Sequence, residues 1–372
     1  MKRKLAIWLL GLFLVTAQVV YSQPEVFQRH ASLDDQRRGD FGFRLAFWNV
    51  ENLFDLNDDS LTRDEAFTPE GENRYTFSRY KNKSTGLAKT MLALGGYEPV
   101  ELIGLCEVEN QWVLEGLTVH SPLKNVGYKI IHEDSPDARG IDVACIYRPD
   151  KFNLILYKYF RVSFPFDPDR KTRDVLYVKG ILPNNDTLHV FFNHWPSRYG
   201  GQFASEPGRH YVAGLVKQKV DSLNLEFKNP YIVITGDFND EPDDISMTEY
   251  LGAKKSRAYA SDNELVNLSY PIKYIFGSHS FGGEWGVLDQ VIVSRSLLLD
   301  GTTSTLSNSV GIFDPPWMLK KNAAGNDVTN RTFQGPAYKA GYSDHLPVFL
   351  DLYLSQKEIG AEISGTDSQT IE

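Results

Sequence analysis

The chain has 372 residues, 42% hydrophobic and 13% aromatic, enough to bury a large core as one large domain or two small ones. A net charge of −9 argues against a protein that coats nucleic acid through a basic surface, though not against an enzyme with a local basic patch. Two cysteines, Cys106 and Cys145, exclude a disulfide scaffold; an exported chain could pair them, but both sit in apolar runs and read as buried small residues.

Met1-Lys2-Arg3-Lys4 is a basic start, and residues 5–21 are apolar and uncharged. Val20 and Ser22 suit a cleavage site before Gln23, so residues 1–22 read as a secretory signal peptide and the mature chain as exported, to periplasm or medium. A retained anchor is the weaker reading, because the stretch is short for a spanning helix. No later segment is apolar enough to span a membrane, so none is expected in the mature form. Residues 23–41 are polar and read as a flexible N-terminal segment, residues 42–355 as the catalytic domain, and residues 356–372 as a disordered polar tail.

Strand-like runs rich in Val, Ile, Phe and Tyr recur at 43–48, 102–106, 142–147, 154–163, 174–182, 188–193, 231–236, 287–294 and 347–354. Two segments read as helices. Residues 78–94 place Tyr80, Leu87, Met91 and Leu94 near one face and end at Gly95-Gly96; residues 209–227 carry the stripe Val212, Leu215, Val216, Val220, Leu223. Residues 55–76 and 311–342 are long and irregular, a pattern more often functional than decorative beside a site.

Six polar clusters sit at the ends of these apolar runs. They are Asn49-Val50-Glu51, Glu107, Asn193-His194, Asp237-Phe238-Asn239, Asp289-Gln290 and Ser343-Asp344-His345. The first four follow strand-like runs and the last two precede them, so strands of opposite direction would gather all six at one rim. Carboxylates, amides and two histidines at one rim suit a hard metal ion and acid–base chemistry.

In this order, with Gly236-Asp237-Phe238-Asn239 and Ser343-Asp344-His345 as the specific part, the clusters resemble the endonuclease/exonuclease/phosphatase superfamily over residues 43–354. That is the family of pancreatic deoxyribonuclease, base-excision endonucleases, neutral sphingomyelinases and inositol-polyphosphate phosphatases. The resemblance implies an α/β (α+β) four-layer sandwich, two packed mixed β-sheets flanked by helices, and metal-dependent hydrolysis of a phosphoester.

It makes Glu107 the principal ligand of Mg²⁺, or alternatively Mn²⁺, with Asn49 and Asp344 adding oxygens. Asp237 and Asn239 are placed to orient water or bind the phosphoryl group. His345 is a general base or phosphate donor whose tautomer Asp289 would fix, and His194 is a general acid or phosphate donor. Asp142 is a weaker candidate to orient His194. Arg139, Arg198 and Arg331 could meet substrate phosphates, although each alone reads as a surface arginine. Trp195, Trp285 and Trp317 could stack on a base, with core packing or anchoring the better reading of the first two.

The leading functional reading is an exported metal-dependent phosphodiester hydrolase, an endonuclease first, acting on nucleic acid or another phosphodiester; no stable protein partner is implied. A phosphatase or sphingomyelinase-like phospholipid phosphodiesterase is the alternative, weakened by Gln290 after Asp289. A non-catalytic binding protein on the same fold comes third.

Overall fold

The structure, a computed structural model, describes residues 42–355; the expected signal peptide, the segment 23–41 and the tail 356–372 lie outside the described residues. Two mixed sheets face each other. In chain order the first half supplies β1 (Gly42–Leu53), β2 (Leu102–Val108), β3 (Lys129–Ile131), β4 (Asp142–Tyr147), β5 (Asn153–Phe160), β6 (Val175–Ile181) and β7 (Thr187–His194). The second half supplies β8 (Tyr231–Asp237), β9 (Leu265–Asn267), the β10–β11 hairpin (His279–Phe281, Glu284–Gly286), β12 (Asp289–Ser294), β13 (Thr303–Ser304) and β14 (Val310–Ile312). The hairpins β15–β16 (Leu319–Lys321, Asp327–Thr329) and β17–β18 (Phe333–Gln334, Ala337–Tyr338) follow, and β19 (Val348–Leu354) closes the chain.

One sheet runs β13-β19-β1-β2-β4-β3, with β14 also on β19; the other runs β5-β6-β7-β8-β12-β9. Each has one parallel pair at its centre, β1–β2 and β7–β8, among antiparallel neighbours. This is the mixed two-sheet arrangement expected from the sequence.

Strand alternation explains the layering. On β7, Leu188, Val190 and Phe192 enter the core between the sheets, whereas Phe191 faces the helical side. There it meets Val212, Val216 and Val220 of α3 (Gln202–Glu226), and helix α1 (Phe77–Gly95) adds Leu87 and Met91 to the main core. The sheets approach closely at Gly104, where a Cβ would stand 2.1 Å from the Phe192 ring.

Helix boundaries were the least legible part. Helix α3 starts at Gln202 rather than 209, since Gly200-Gly201 and Pro207 read as breakers; Pro207 falls in the second turn, where its missing N–H frees only the carbonyl of the exposed Phe203. The short α2 (Gln111–Thr118), capped by the Asn110 side chain accepting from Val113 N, was not foreseen. Residues 311–342 fold into hairpins over α1, with Trp317 Nε1 donating to Thr90 Oγ1 at 3.0 Å. Cys106 and Cys145 are buried free thiols on neighbouring strands. Among the described residues, no helix is long and apolar enough to cross a membrane.

Candidate active site

Antiparallel and parallel pairings bring the six clusters to one end of the sandwich. His194 pairs with Asp237 across β7–β8, and Asp237 pairs with Asp289 across β8–β12. Close approach at Gly236, where a Cβ would stand 2.3 Å from the Asn193 carbonyl oxygen, lets those strand ends converge.

Four residues here adopt the left-handed conformation that β-carbons disfavour: Glu51 (φ 51°), Asn52 (φ 58°), Glu107 (φ 60°) and Asn239 (φ 52°). The first three lie where the β1–β2 and β2–β4 registers slip. A bulge re-aims a side chain that strict alternation would send elsewhere. Here the amide N of Asn52 donates to Glu107 Oε2 at 3.0 Å, while Oε1 turns into the site, 3.7 Å from Arg139 Nη1 and 3.9 Å from His194 Nε2.

Asp237 Oδ2 is the point of convergence. Asn49 Nδ2 donates to it at 3.1 Å, and His194 Nε2 and His345 Nε2 stand 3.6 and 3.8 Å away. Asp237 Oδ1 accepts from Asn239 N at 3.0 Å. Burial pushes the Asp237 carboxyl up to about 7, with the charge of Asp289 adding to it and His345 opposing. His345 responds in the opposite sense. Burial works against its charged form, but the carboxylates of Asp289, Asp237 and Asp344 raise it well above the usual imidazole value. Its Nδ1 lies 2.6 Å from Asp289 Oδ2.

His194 is held neutral by burial and by the nearby Arg173 and Arg139. Its Nδ1 is buried with no hydrogen-bond partner, so the proton belongs on Nε2, which faces the site. Asp142, expected beside that nitrogen, instead accepts from Ser135 N at 2.7 Å and pairs with His132 Nε2 at 2.9 Å. The reason is register: Asp142 opens β4 at the position opposite Val108, next to the 129–135 segment.

The arginines divide. Arg331 bridges Asp344 Oδ2 (2.8 Å) and Glu51 Oε1 (3.3 Å), and Arg139 leans toward Glu107. Arg198 is spent on structure: it donates to the Asn239 carbonyl at 2.7 Å and to Asp240 and Asp244, locking the Asp-Phe-Asn loop instead of facing a phosphate. Asn193 and Gln290 likewise serve the frame. Asn193 joins the two parallel strands and accepts from Trp195 Nε1, and Gln290 donates to the Asp240 and Val287 carbonyls. Ser343 Oγ donates to the Asn49 carbonyl and accepts from His345 N, tying the last motif to the first.

Three neighbours were left without a role by the sequence reading, Glu51 of the first cluster among them. Glu51 is buried, accepts from Thr332 N at 2.7 Å, and is pushed up to about 7 by burial and the charge of Asp344. Lys83 reaches it from α1, donating to Thr332 Oγ1 (2.6 Å) and the Tyr342 carbonyl (2.9 Å), with burial lowering it to about 8. His279 packs on His345, ring centroids 4.5 Å apart. A signal existed for two of them. Glu51 stands two residues after Asn49, and Lys83 falls three after Tyr80 and four before Leu87, on the buried stripe of its helix.

The donor set fits a divalent cation. Glu107 Oε1 turns a hard oxygen into the site, Asn49 Oδ1, which accepts from Glu51 N at 2.9 Å, and the Asp344 carboxylate, paired with Arg331 at 2.8 Å, supply others, and Glu51 and Asp237 add two buried carboxyls. His279, Asp344 and His345, and also Asp237, Asp289 and His345, bring potential ligand atoms within 4.8 Å of one another. The short His345–Asp289 contact marks the second group as an acid–base pair first.

A two-sheet sandwich with carboxylates, amides and two histidines converging at one end defines a hydrolase-like site suited to a divalent ion and acid–base chemistry. A sequence model of the Endonuclease/Exonuclease/phosphatase family matches residues 44–354, and the chain belongs to that family, one of phosphoesterases that use divalent metal ions. Among solved structures it resembles a mannosyl-6-phosphatase of Bacteroides thetaiotaomicron VPI-5482, at 18% identity and TM-score 0.52, over 84% of this chain and 100% of that one. It also resembles humanized D. rerio TDP2, at 11% identity and TM-score 0.51, over 84% and 98%. An endonuclease/exonuclease/phosphatase family protein from B. thetaiotaomicron matches at 17% identity and TM-score 0.50, over 84% and 95%. At these identities the likeness is one of fold. A search among curated proteins gave no significant match.

Proposed function

We propose that the chain is an exported, Mg²⁺-dependent phosphodiesterase whose first substrate class is nucleic acid. The observation that carries this is the convergence of three donors, Asn49 Nδ2, His194 Nε2 and His345 Nε2, on Asp237 Oδ2, beside the open Glu107 oxygen. At 3.6 and 3.8 Å the imidazoles and the carboxylate are too far apart to bond directly and too close to hold an oxygen between them, so a reacting oxygen would sit beside them, within hydrogen-bond reach of each.

Glu107, Asn49 and Asp344 would hold the ion, which when bound polarises the phosphoryl group and stabilises the leaving oxygen. Asp237, poised near neutrality, takes the proton of the attacking water; Asn239 Nδ2 donates to the Trp195 carbonyl at 3.1 Å, so any orienting of that water falls to its Oδ1. His345 acts as a cation. Asp289 keeps its Nδ1 proton in place, and Nε2–H donates to the phosphoryl oxygens as charge grows on them. His194, neutral with its proton on Nε2, is the second donor. Arg139, Arg331, Lys320 and Lys339 supply positive charge near the site in an otherwise acidic chain, and Arg331 and Lys339 already lower Lys320 after burial has done so. These cations, two of them paired with site carboxylates, are what the site offers a phosphate chain.

The test is hydrolysis of plasmid DNA and of a bis(aryl) phosphate by the protein from Gln23 onward, with Mg²⁺, Mn²⁺, Ca²⁺ or EDTA. Metal-dependent DNA cleavage lost in His345→Ala is the expected result. Diester turnover without DNA cleavage would move the substrate to lipids or small phosphoesters, and no turnover of any phosphoester would sink the reading. Secretion is tested separately, by sequencing the N-terminus of the protein recovered outside the cytoplasm.

A further inference from the structure

Beside the phosphoester site lies a cleft of about 530 Å³, within the ~300–1,000 Å³ typical of small-ligand sites. Tyr199 borders it from the loop after β7, and His279, Phe281, Glu284 and Trp285 border it from the β10–β11 hairpin. Asn239 and His279 belong to both spaces: Asn239 N bonds Asp237, and the His279 ring packs on His345. A substituent of a phosphoryl group held at Asp237 and His345 therefore enters the cleft directly.

Its walls are flat rings left open to solvent. Tyr199 is 95% exposed and Phe281 75%. Phe281 lies nearly parallel to His279, at 10° and 6.5 Å between centroids, while Trp285 is pinned by Nε1 donating to the Asp327 carbonyl at 3.1 Å. The charge of the lining is one-sided. Arg198 is engaged by the Asn239 carbonyl and by Asp240 and Asp244, and of the two lining carboxylates Glu241 accepts from Val287 N at 3.2 Å through one oxygen while Glu284 is exposed on the wall. Such a lining repels a second phosphate and accepts N–H donors. A flat, uncharged ring bearing amino or ring N–H groups matches the walls in shape and charge.

We propose that this cleft is a base-stacking subsite, which takes the nucleobase joined through its sugar to the scissile phosphate. The inference rests on the phosphodiesterase reading above. The cations of the site, Arg139, Arg331 and Lys320, do not line the cleft, so the continuing phosphate backbone leaves toward them and away from the base.

The test compares wild type, Phe281→Ala and Phe281→Tyr on two oligonucleotides, (dA)12 and the same length of abasic tetrahydrofuran residues, with methyl 4-nitrophenyl phosphate as a reference diester. Phe281 is exposed, so the variants should fold, which circular dichroism checks. Expected is a loss of about 10-fold or more in kcat/KM on (dA)12 for Phe281→Ala, recovery with Phe281→Tyr, and no change on the abasic oligomer. Fluorescence of the protein in EDTA should be quenched by AMP and not by ribose 5-phosphate. Equal cleavage of (dA)12 by wild type and Phe281→Ala overturns the subsite while leaving the phosphodiesterase intact. So does quenching by phosphocholine in place of AMP, which would mark a quaternary-ammonium cage. Inertness toward all three diesters removes the underlying reading, and the subsite with it.

Discussion

The Nδ1 atom of His345 lies 2.6 Å from the carboxylate of Asp289, a residue with no exposed surface, and the other Asp289 oxygen is buried without a hydrogen-bond partner. Of the three carboxylates that favour its charged form, Asp289 is the one that bonds the imidazole directly. Asp289→Asn keeps a group of the same shape but removes the charge that most strongly favours imidazolium. A fall in kcat of about 10²–10⁴-fold is expected, with the His345 titration moving down toward the ordinary imidazole range in NMR. An unchanged His345 titration would show that Asp289 does not hold its proton.

Asp237 makes the pH dependence directional. Its carboxyl is pushed up to about 7 by burial, and it must be ionised to accept a proton. Activity should then rise as pH increases toward neutrality and stay high until His345, raised well above its usual value, gives up its own proton. A divalent ion nearby draws the acidic limb to lower pH, so the limb should shift with metal identity. Asp237→Asn should remove the activity. A rate flat from pH 5 to 9 would refute the assignment.

Glu107 holds a left-handed backbone, with φ 60°, and turns a carboxylate into an acidic site. For a non-glycine residue that conformation costs on the order of 1–2 kcal/mol. Glu107→Gly should therefore leave thermal stability equal or higher while reducing activity by about 10³-fold or more and abolishing the dependence on added metal. A strongly lowered Tm would mean that the carboxylate holds the bulge together.

Glu109 offers a stability test away from the chemistry. Burial pushes its carboxyl up to about 8, with Asp55 and Asp64 nearby, although the Asp55 N–H bonded to it opposes the rise. Its folded value exceeds its unfolded one, so its proton favours folding fully at low pH. That contribution is lost as pH rises from about 4.5 through about 8. Glu109→Gln keeps an acceptor for Asp55 N and should stabilise the protein at pH 8 by on the order of 1 kcal/mol or more, with little gain at pH 5. Tm measured across that range for both proteins decides it; parallel profiles would exclude Glu109 as the source of any slope.

The sequence disclosed strands and site together, for one reason. Buried strands write themselves as runs of Val, Ile and Phe, and a site at their ends appears as polar residues where the runs stop, as at Asp237 after 231–236 and Asp289-Gln290 before 291–294. What strand logic cannot encode is side-chain destination across a bulge or between layers. Asp142 has the residue type and the strand end expected of a partner for His194, yet its register sends it to His132. Arg198 follows His194 by four residues, but the loop turns its guanidinium into the Asp240–Asp244 segment. Lys83 lies on the apolar stripe of its helix, but its partners appear only when the 330–342 segment is laid over that helix, a contact between residues about 250 positions apart. Tertiary layering, and no local preference, decided each of these.

The docking of the two sheets has a consequence in time. Asn49 and Glu107 come from one sheet, His194, Asp237 and Asp289 from the other, and Ser343 fastens Asp344 and His345 to β1 near the end of the chain. A chain still short of Ser343 lacks its imidazolium, and a chain whose sheets have not met lacks the Asn49–Asp237 contact. The complete site thus requires both sheets docked and the 343–345 segment seated, so the onset of activity during refolding should report that docking.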